Sequence, residues 1–84
     1  MVRQAHHQDL TPKMKFSRHA RRQMKWRKIS EEDIGAVVNA PDYIEYSVHG
    51  RINAFKMIQG RLLKITYKAE EDEIIVITAM VKGM

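Results

Sequence analysis

His19 is the side chain in this sequence best suited to transfer a proton near neutral pH. Ser17 is a predicted N-cap, and the helix that it begins is predicted to run to about Lys28. Gln23 and Arg27 follow His19 at i+4 and i+8, so the three side chains share one polar stripe. A neutral imidazole can act as a general base or acid at this pH. The alternative is a structural histidine, bonded to a carbonyl or packed under a sheet.

Arg51 and Lys68 form a second candidate, because they are predicted to face each other across a hairpin. Gln59-Gly60 has the length and composition of a two-residue turn. The register that follows from it places Arg51 opposite Lys68. Like charges opposed in a sheet are destabilising, and a bound anion would relieve the repulsion. The pair is therefore a candidate phosphate site, and ordinary solvated strand charge is the alternative.

The same register divides the side chains of this hairpin between two faces of a sheet. One face is predicted to form the core under the helices: Ile52, Ala54, Ile58, Leu63, Ile65 and Tyr67, with Lys56 and Arg61 toward one end. The other face is mixed and basic: Arg51, Asn53, Phe55, Met57, Leu62, Lys64, Thr66 and Lys68. A second two-residue turn at His49-Gly50 would add Tyr46 beside Asn53. Tyr46 and Phe55 could then stack on bases, or form a dimer interface or a second small core.

Residues 13–28 are strongly basic and contain no acid. They include Lys13, Lys15, Arg18, Arg21, Arg22, Lys25, Arg27 and Lys28. Such a run on one helix is self-repulsive unless something anionic lies beside it. We interpret Arg18, Arg22, Lys25 and Arg27 as contacts to a nucleic-acid backbone. A solvated helix face, or a surface for an acidic protein, is the alternative.

Composition sets the class of protein. The chain has 84 residues, a formal net charge of +5 and 44% hydrophobic residues, which favours one folded domain with an anionic partner. The absence of cysteine excludes a thiol nucleophile and a cysteine-based zinc site. We expect no metal and no cofactor, because His6-His7 lacks a fixed third ligand and the acidic run 70–73 fits a solvated turn. We also expect a cytoplasmic protein that does not contact a membrane.

The pattern of elements predicts an α+β fold. Residues 1–12 are predicted to be a flexible N-terminal arm, and residues 13–84 a single domain. Two helices, the second capped by Ser30 and ended by Pro41, precede four predicted strands: Tyr43–Val48, Ile52–Ile58, Leu62–Lys68 and Ile74–Val81. The predicted architecture is two N-terminal helices on one face of an antiparallel four-stranded meander. Met14-Lys15-Phe16 could add a short strand in front.

Six short strings resemble a known pattern. They are FSRHA at 16–20, RKISEEDI at 27–34, APD at 40–42, HGR at 49–51, GRLLKITY at 60–67 and EIIVITA at 73–79. In their order and spacing, over residues 14–81, they resemble a family of small prokaryotic domains similar to the BrnT toxins. The resemblance extends more distantly to the RelE/ParE toxin superfamily.

The resemblance implies a microbial RNase-like fold and metal-independent RNA cleavage. It also implies RNA or the ribosome as target and pairing with an antitoxin protein. In such cleavage a base removes the ribose 2′-OH proton, the oxygen attacks the phosphate, and cations stabilise the developing charge.

The family's functional positions map onto this chain. Its helix histidine matches His19 and its later helix arginine matches Arg27. Its basic and hydroxyl sheet positions match Arg51, Arg61, Lys64, Lys68 and Thr78. Together with the hairpin register, this makes His19, Arg51 and Lys68 the catalytic candidates. Relatives often carry Arg where this chain has Gln23. A non-catalytic nucleic-acid- or protein-binding module, and a homodimer formed through a strand edge, are the alternative functions.

Overall fold

The computed structural model describes residues 13–83, so the predicted N-terminal arm lies outside the described residues. The helices are α1 (Arg18–Arg27) and α2 (Glu31–Asn39). The strands are β1 (Lys13–Phe16), β2 (Tyr43–Tyr46), β3 (Arg51–Ile58), β4 (Arg61–Ala69) and β5 (Glu73–Lys82). A single 3₁₀ turn, Val48–Gly50, joins β2 to β3.

The five strands form one mixed sheet with the order β1-β5-β4-β3-β2. Strands β2 to β5 form the predicted antiparallel meander. The prediction of four strands, all antiparallel, is wrong because β1 joins the sheet beside β5 and runs parallel to it. The short strand suggested at Met14-Lys15-Phe16 is present as β1, but its partner and its parallel direction were not predicted.

Serine side chains start both helices, as predicted. The Ser17 hydroxyl oxygen accepts from the Ala20 N–H, and Ser30 forms a capping box with Asp33. At the other end of α1, Lys28 adopts φ 55° and its N–H donates to the Met24 carbonyl. This left-handed residue ends the helix and directs the chain into α2.

The core lies between the helices and one face of the sheet, which we call the helix face. Its buried members are Ala20, Met24, Ile29, Ile34, Val37, Ala54, Leu63, Ile65, Ile74, Val76 and Ala79. The predicted core of β3 and β4 is confirmed, with Ala54, Leu63 and Ile65 fully buried. The alternation of side chains along each strand therefore directs the intervening residues to the opposite face.

Helix α1 replaces a strand partner along part of β5. Strand β1 pairs with β5 only as far as Val76, so the edge of β5 beyond that point needs other hydrogen-bond partners. The Ser17 hydroxyl donates to the Ile77 carbonyl, and the Gln23 Oε1 accepts from the Ala79 N–H at 2.9 Å. Gln23 thus links α1 to β5 by a hydrogen bond, which accounts for a neutral amide in this position.

Candidate nucleic-acid interface

The register of the β3–β4 hairpin places Arg51 directly opposite Lys68, as the sequence predicts. Gln59 and Gly60 both have positive φ, at 52° and 81°, as a tight two-residue hairpin turn requires. Opposed residues lie on the same face of a sheet, with Cα atoms about 5 Å apart. Arg51 and Lys68 therefore lie side by side on the face away from the helices.

We call this second surface the open face, since α1 and α2 pack on the other side of the sheet. Its members, from the strand registers, are Lys13, Lys15, Tyr43, Glu45, Arg51, Asn53, Phe55, Met57, Leu62, Lys64, Thr66, Lys68, Glu73, Ile75, Thr78, Met80 and Lys82. Six of these residues are basic and two are acidic. The excess of positive charge favours an anionic ligand on this face.

Only part of this positive charge is neutralised internally. The Lys68 Nζ lies 3.7 Å from a Glu70 carboxylate oxygen, and the Lys15 Nζ lies 3.3 Å from Glu73. Both pairs are solvent-accessible and therefore weak. Within residues 13–83, Arg51 forms no ion pair or hydrogen bond through its side chain, so its guanidinium is available to a ligand.

A polar row runs across the centre of the open face. The Thr66 hydroxyl donates to the Asn53 Oδ1 at 2.6 Å, and Thr78 lies opposite Thr66 on the next strand. The predicted hydroxyl position Thr78 is thus on the same face as Arg51 and Lys68. Hydroxyl and amide groups beside cations can bind phosphate oxygens, sugar hydroxyls or base edges.

An aromatic pair borders this row. Tyr43 stacks on Phe55, with ring centroids 4.5 Å apart and planes 7° from parallel, and the Lys64 Nζ lies 5.9 Å from the Phe55 centroid. Phe55 lies on the open face as predicted, but it is only 4% exposed and so offers little surface on which a base could stack. The aromatic surface that a ligand could reach belongs to Tyr43, which sequence reasoning missed because it depended on the β2–β3 register.

Tyr46 does not join the open face. The turn contains three residues, Val48–Gly50, and is closed by the Ser47 N–H, which donates to the Arg51 carbonyl, so Tyr46 pairs with Ile52 and not with Asn53. A register shift of one residue moves a side chain to the opposite face. Tyr46 therefore lies on the helix face, near Tyr67. Burial, and secondarily the neighbouring Tyr46, raise the pKa of the Tyr67 hydroxyl.

The basic residues of α1 form a separate surface. Arg18, Arg22 and Lys25 are exposed, as is His19. Because α1 packs against the helix face, the structure does not bring His19 together with Arg51 and Lys68, which lie on the open face. The predicted catalytic trio is thus divided between two sides of the sheet.

Trp26 and Arg21 also belong to this helix surface. Trp26 is 80% exposed, with the Arg27 guanidinium 5.9 Å from its ring centroid. Arg21 lies over the Phe16 ring and pairs with Glu31 at 3.3 Å, so its charge is partly neutralised.

Two further candidates for binding, Arg27 and Arg61, lie where α1 ends. The Arg61 Nη1 and Nη2 donate to the carbonyls of Arg27 and Lys28, at 2.7 and 3.1 Å. Arg61 thus satisfies carbonyls that the end of α1 leaves unpaired. Arg27 is partly buried, and its own Nη1 has no hydrogen-bond partner among residues 13–83. The geometry makes Arg61 a stabilising contact between β4 and α1.

His49 and the acidic residues do not form a metal-ligand set. His49 adopts φ 68° in the exposed β2–β3 turn, a conformation that histidine tolerates better than most residues. Among residues 13–83, no three His, Asp or Glu side chains group in a way that could hold a metal ion. In the same described part of the chain, no helix is long and apolar enough to cross a membrane.

The capping role of Arg61 predicts a loss of stability. Arg61→Met keeps the aliphatic length of the side chain and removes both hydrogen bonds to α1. We expect the free energy of unfolding to fall by about 1–3 kcal/mol in denaturant titration. The matched control is Arg51→Met, which removes the same charge from an exposed strand position and should change stability by less than about 0.5 kcal/mol. Equal effects of the two substitutions would contradict this role.

Comparison with known proteins assigns the chain to a family. A family model described as "Domain of unknown function (DUF4258)" matches residues 16–81, which include both helices, β2 to β4 and nearly all of β5. No curated protein and no solved structure matches the chain. Because the match covers more than three quarters of the chain, this protein belongs to the DUF4258 family.

Proposed function

We propose that this protein is a toxin-like RNA-binding domain that binds single-stranded RNA on the open face. The observation that carries the proposal is the cross-strand pair Arg51–Lys68, in which two cations are opposed and Arg51 has no acidic partner in the described chain. A phosphate between them would turn a repulsive contact into two attractive ones. Arg51 could hold that phosphate through two N–H groups, and Lys68 as a point charge.

The other groups of the open face favour a chain of nucleotides as the ligand, and not a single small anion. Lys64 lies four residues from Lys68 on β4, about 13 Å away along the strand, so a second phosphate has its own cation. Asn53 and Thr66 lie between these cations and offer polar groups to sugars or bases. Tyr43 presents one aromatic face at the border, on which an unpaired base could stack.

Single-stranded RNA suits this surface better than a duplex. Bases must be unstacked before they can reach a tyrosine ring or the polar row of a sheet.

The basic surface of α1, with Arg18, Arg22 and Lys25, lies on the other side of the sheet. We propose that this helix surface attracts RNA or the ribosome electrostatically and that it is not part of the binding site on the open face.

Metal-independent RNA cleavage is the second candidate function. The Arg51–Lys68 pair favours it, because two adjacent cations could stabilise the charge that develops on a phosphate during attack by the 2′-OH. His19 is on the other side of the sheet and is not suited to serve this pair. His49, in the turn that leads directly into Arg51, is the histidine nearest to it along the chain. In a toxin–antitoxin setting in the cytoplasm, an antitoxin that covers the open face would block this chemistry.

The binding proposal predicts a difference between the two basic surfaces. We expect Arg51→Gln and Lys68→Gln each to weaken binding of a short single-stranded RNA about tenfold in fluorescence anisotropy. Each should also reduce the slope of log affinity against log salt by about 0.7, since one phosphate contact is lost.

The matched control for this experiment is Arg22→Gln, which removes one charge from an exposed position of α1. We expect it to have a smaller effect on affinity than either sheet variant. If Arg22→Gln weakens binding more than Arg51→Gln does, RNA binds the helix and the assignment to the open face is wrong.

The cleavage candidate is tested by mapping new RNA 5′ ends after induced expression in a bacterial host. We expect recurring ends that are absent with Arg51→Ala and retained with His19→Ala. The purified protein should give the corresponding 2′,3′-cyclic phosphate products in EDTA if the ribosome is not required. No new ends with the unaltered protein, or their loss with His19→Ala alone, would contradict cleavage at the Arg51–Lys68 pair.

A further inference from the structure

Exposed apolar side chains are concentrated at one edge of the sheet. Of the six large hydrophobic residues that are exposed in the described chain, Tyr43, Ile44, Tyr46 and Val48 belong to β2 or follow it directly. We call residues 43–48 the β2 edge. Ile44 and Tyr46 lie on the helix face but remain 38% and 78% exposed. A grouped apolar surface of this kind is typical of a protein-binding site.

The backbone of the β2 edge is also open to a partner. Strand β2 is the last in the sheet order, so only β3 pairs with it within residues 13–83. The Ser47 N–H donates to the Arg51 carbonyl, which identifies 47 and 51 as a hydrogen-bonded pair. By the alternation of an antiparallel ladder, the peptide groups of Ile44 and Tyr46 then point away from β3. They can pair with another strand.

The charge of this edge favours a protein over a nucleic acid. Residues 41–48 contain Asp42 and Glu45 and no Lys or Arg, whereas the whole chain has a net charge of +5. A polyanion would meet carboxylates and apolar side chains here. The Asp42 carboxylate also pairs with the Lys56 Nζ at 3.6 Å, which leaves the edge close to neutral. Two copies of a basic protein could therefore approach each other here with little repulsion.

We propose that the β2 edge is a homodimer interface, in which β2 of one protomer pairs antiparallel with β2 of its partner. A two-fold axis perpendicular to the sheet brings the same apolar side chains from both protomers together on one face. The basic helix α1 packs against β5 and β1, which lie at the opposite edge of the sheet from β2. The two helices are thereby kept apart, which limits repulsion between the protomers.

The charge of Glu45 restricts the register of this pairing. An axis through Glu45 would place the two carboxylates directly opposite each other, which is destabilising. An axis through Ile44 or Tyr46 avoids that contact and pairs an apolar residue with its own copy. Either register joins the two sheets into one ten-stranded sheet with both open faces on the same side.

The test is sedimentation equilibrium of the full chain after nuclease treatment, so that bound RNA cannot bridge two copies. We expect a dimer for the unaltered protein, and a monomer for Ile44→Lys and for Tyr46→Lys. The matched control is Met57→Lys, which adds the same charge at an exposed apolar position of β3 outside residues 43–48 and should remain dimeric. Tyr46→Ser, which removes apolar area without adding charge, should also shift the equilibrium toward the monomer.

Three results would overturn the proposal. They are a monomer at every concentration for the unaltered protein, a dimer that survives both lysine substitutions at the edge, and a dimer that Met57→Lys disrupts equally. Circular dichroism confirms that each variant is folded, which is expected because the substituted side chains are exposed. Raised salt should leave the dimer intact, since backbone pairing and apolar contact hold it, and dissociation by salt would contradict this interface. The dimer does not depend on RNA binding, so either proposal can fail alone.

Discussion

The register of the β3–β4 hairpin is the constraint on which the rest of the structure depends. Side chains alternate strictly along each strand, so one register places Ala54, Leu63 and Ile65 in the core and their neighbours on the open face. A shift by one residue would bury charged side chains and expose the aliphatic ones. The positive φ values of Gln59 and Gly60 make a turn of two residues possible and thereby fix the pairing. The buried core and the Arg51–Lys68 pair are therefore two consequences of one turn.

The structure uses its basic residues in three different ways. Arg61 and Lys56 donate to carbonyls at the ends of α1 and α2, and so belong to the fold. Arg18, Arg22 and Lys25 form an exposed helix surface. Arg51, Lys64 and Lys68 lie on a sheet face with polar and aromatic neighbours. The third group combines charge with hydroxyl and amide groups that could bind base edges.

Features that a few neighbouring residues determine could be predicted from the sequence, and features that depend on contacts between distant residues could not. The helix caps, the β3–β4 turn and the aliphatic core follow from signals within a few residues, and these predictions are confirmed. The face of Tyr46 was predicted wrongly because His49-Gly50 has the composition of a two-residue turn, whereas the turn contains three residues, Val48–Gly50. The burial of Phe55 and the hydrogen bonds of Arg61 depend on contacts between distant elements, which no local pattern encodes. The separation of His19 from Arg51 has the same cause.

The central claim is that single-stranded RNA binds the open face, and amide chemical-shift mapping tests it most directly. A short single-stranded RNA would be added to the isotopically labelled full chain, and shifts would be followed residue by residue. If RNA binds the open face, we expect the largest changes on β3 and β4, at Arg51–Phe55 and Lys64–Lys68, with smaller changes on α1. Changes confined to α1, or none at concentrations where binding is seen by anisotropy, would contradict it.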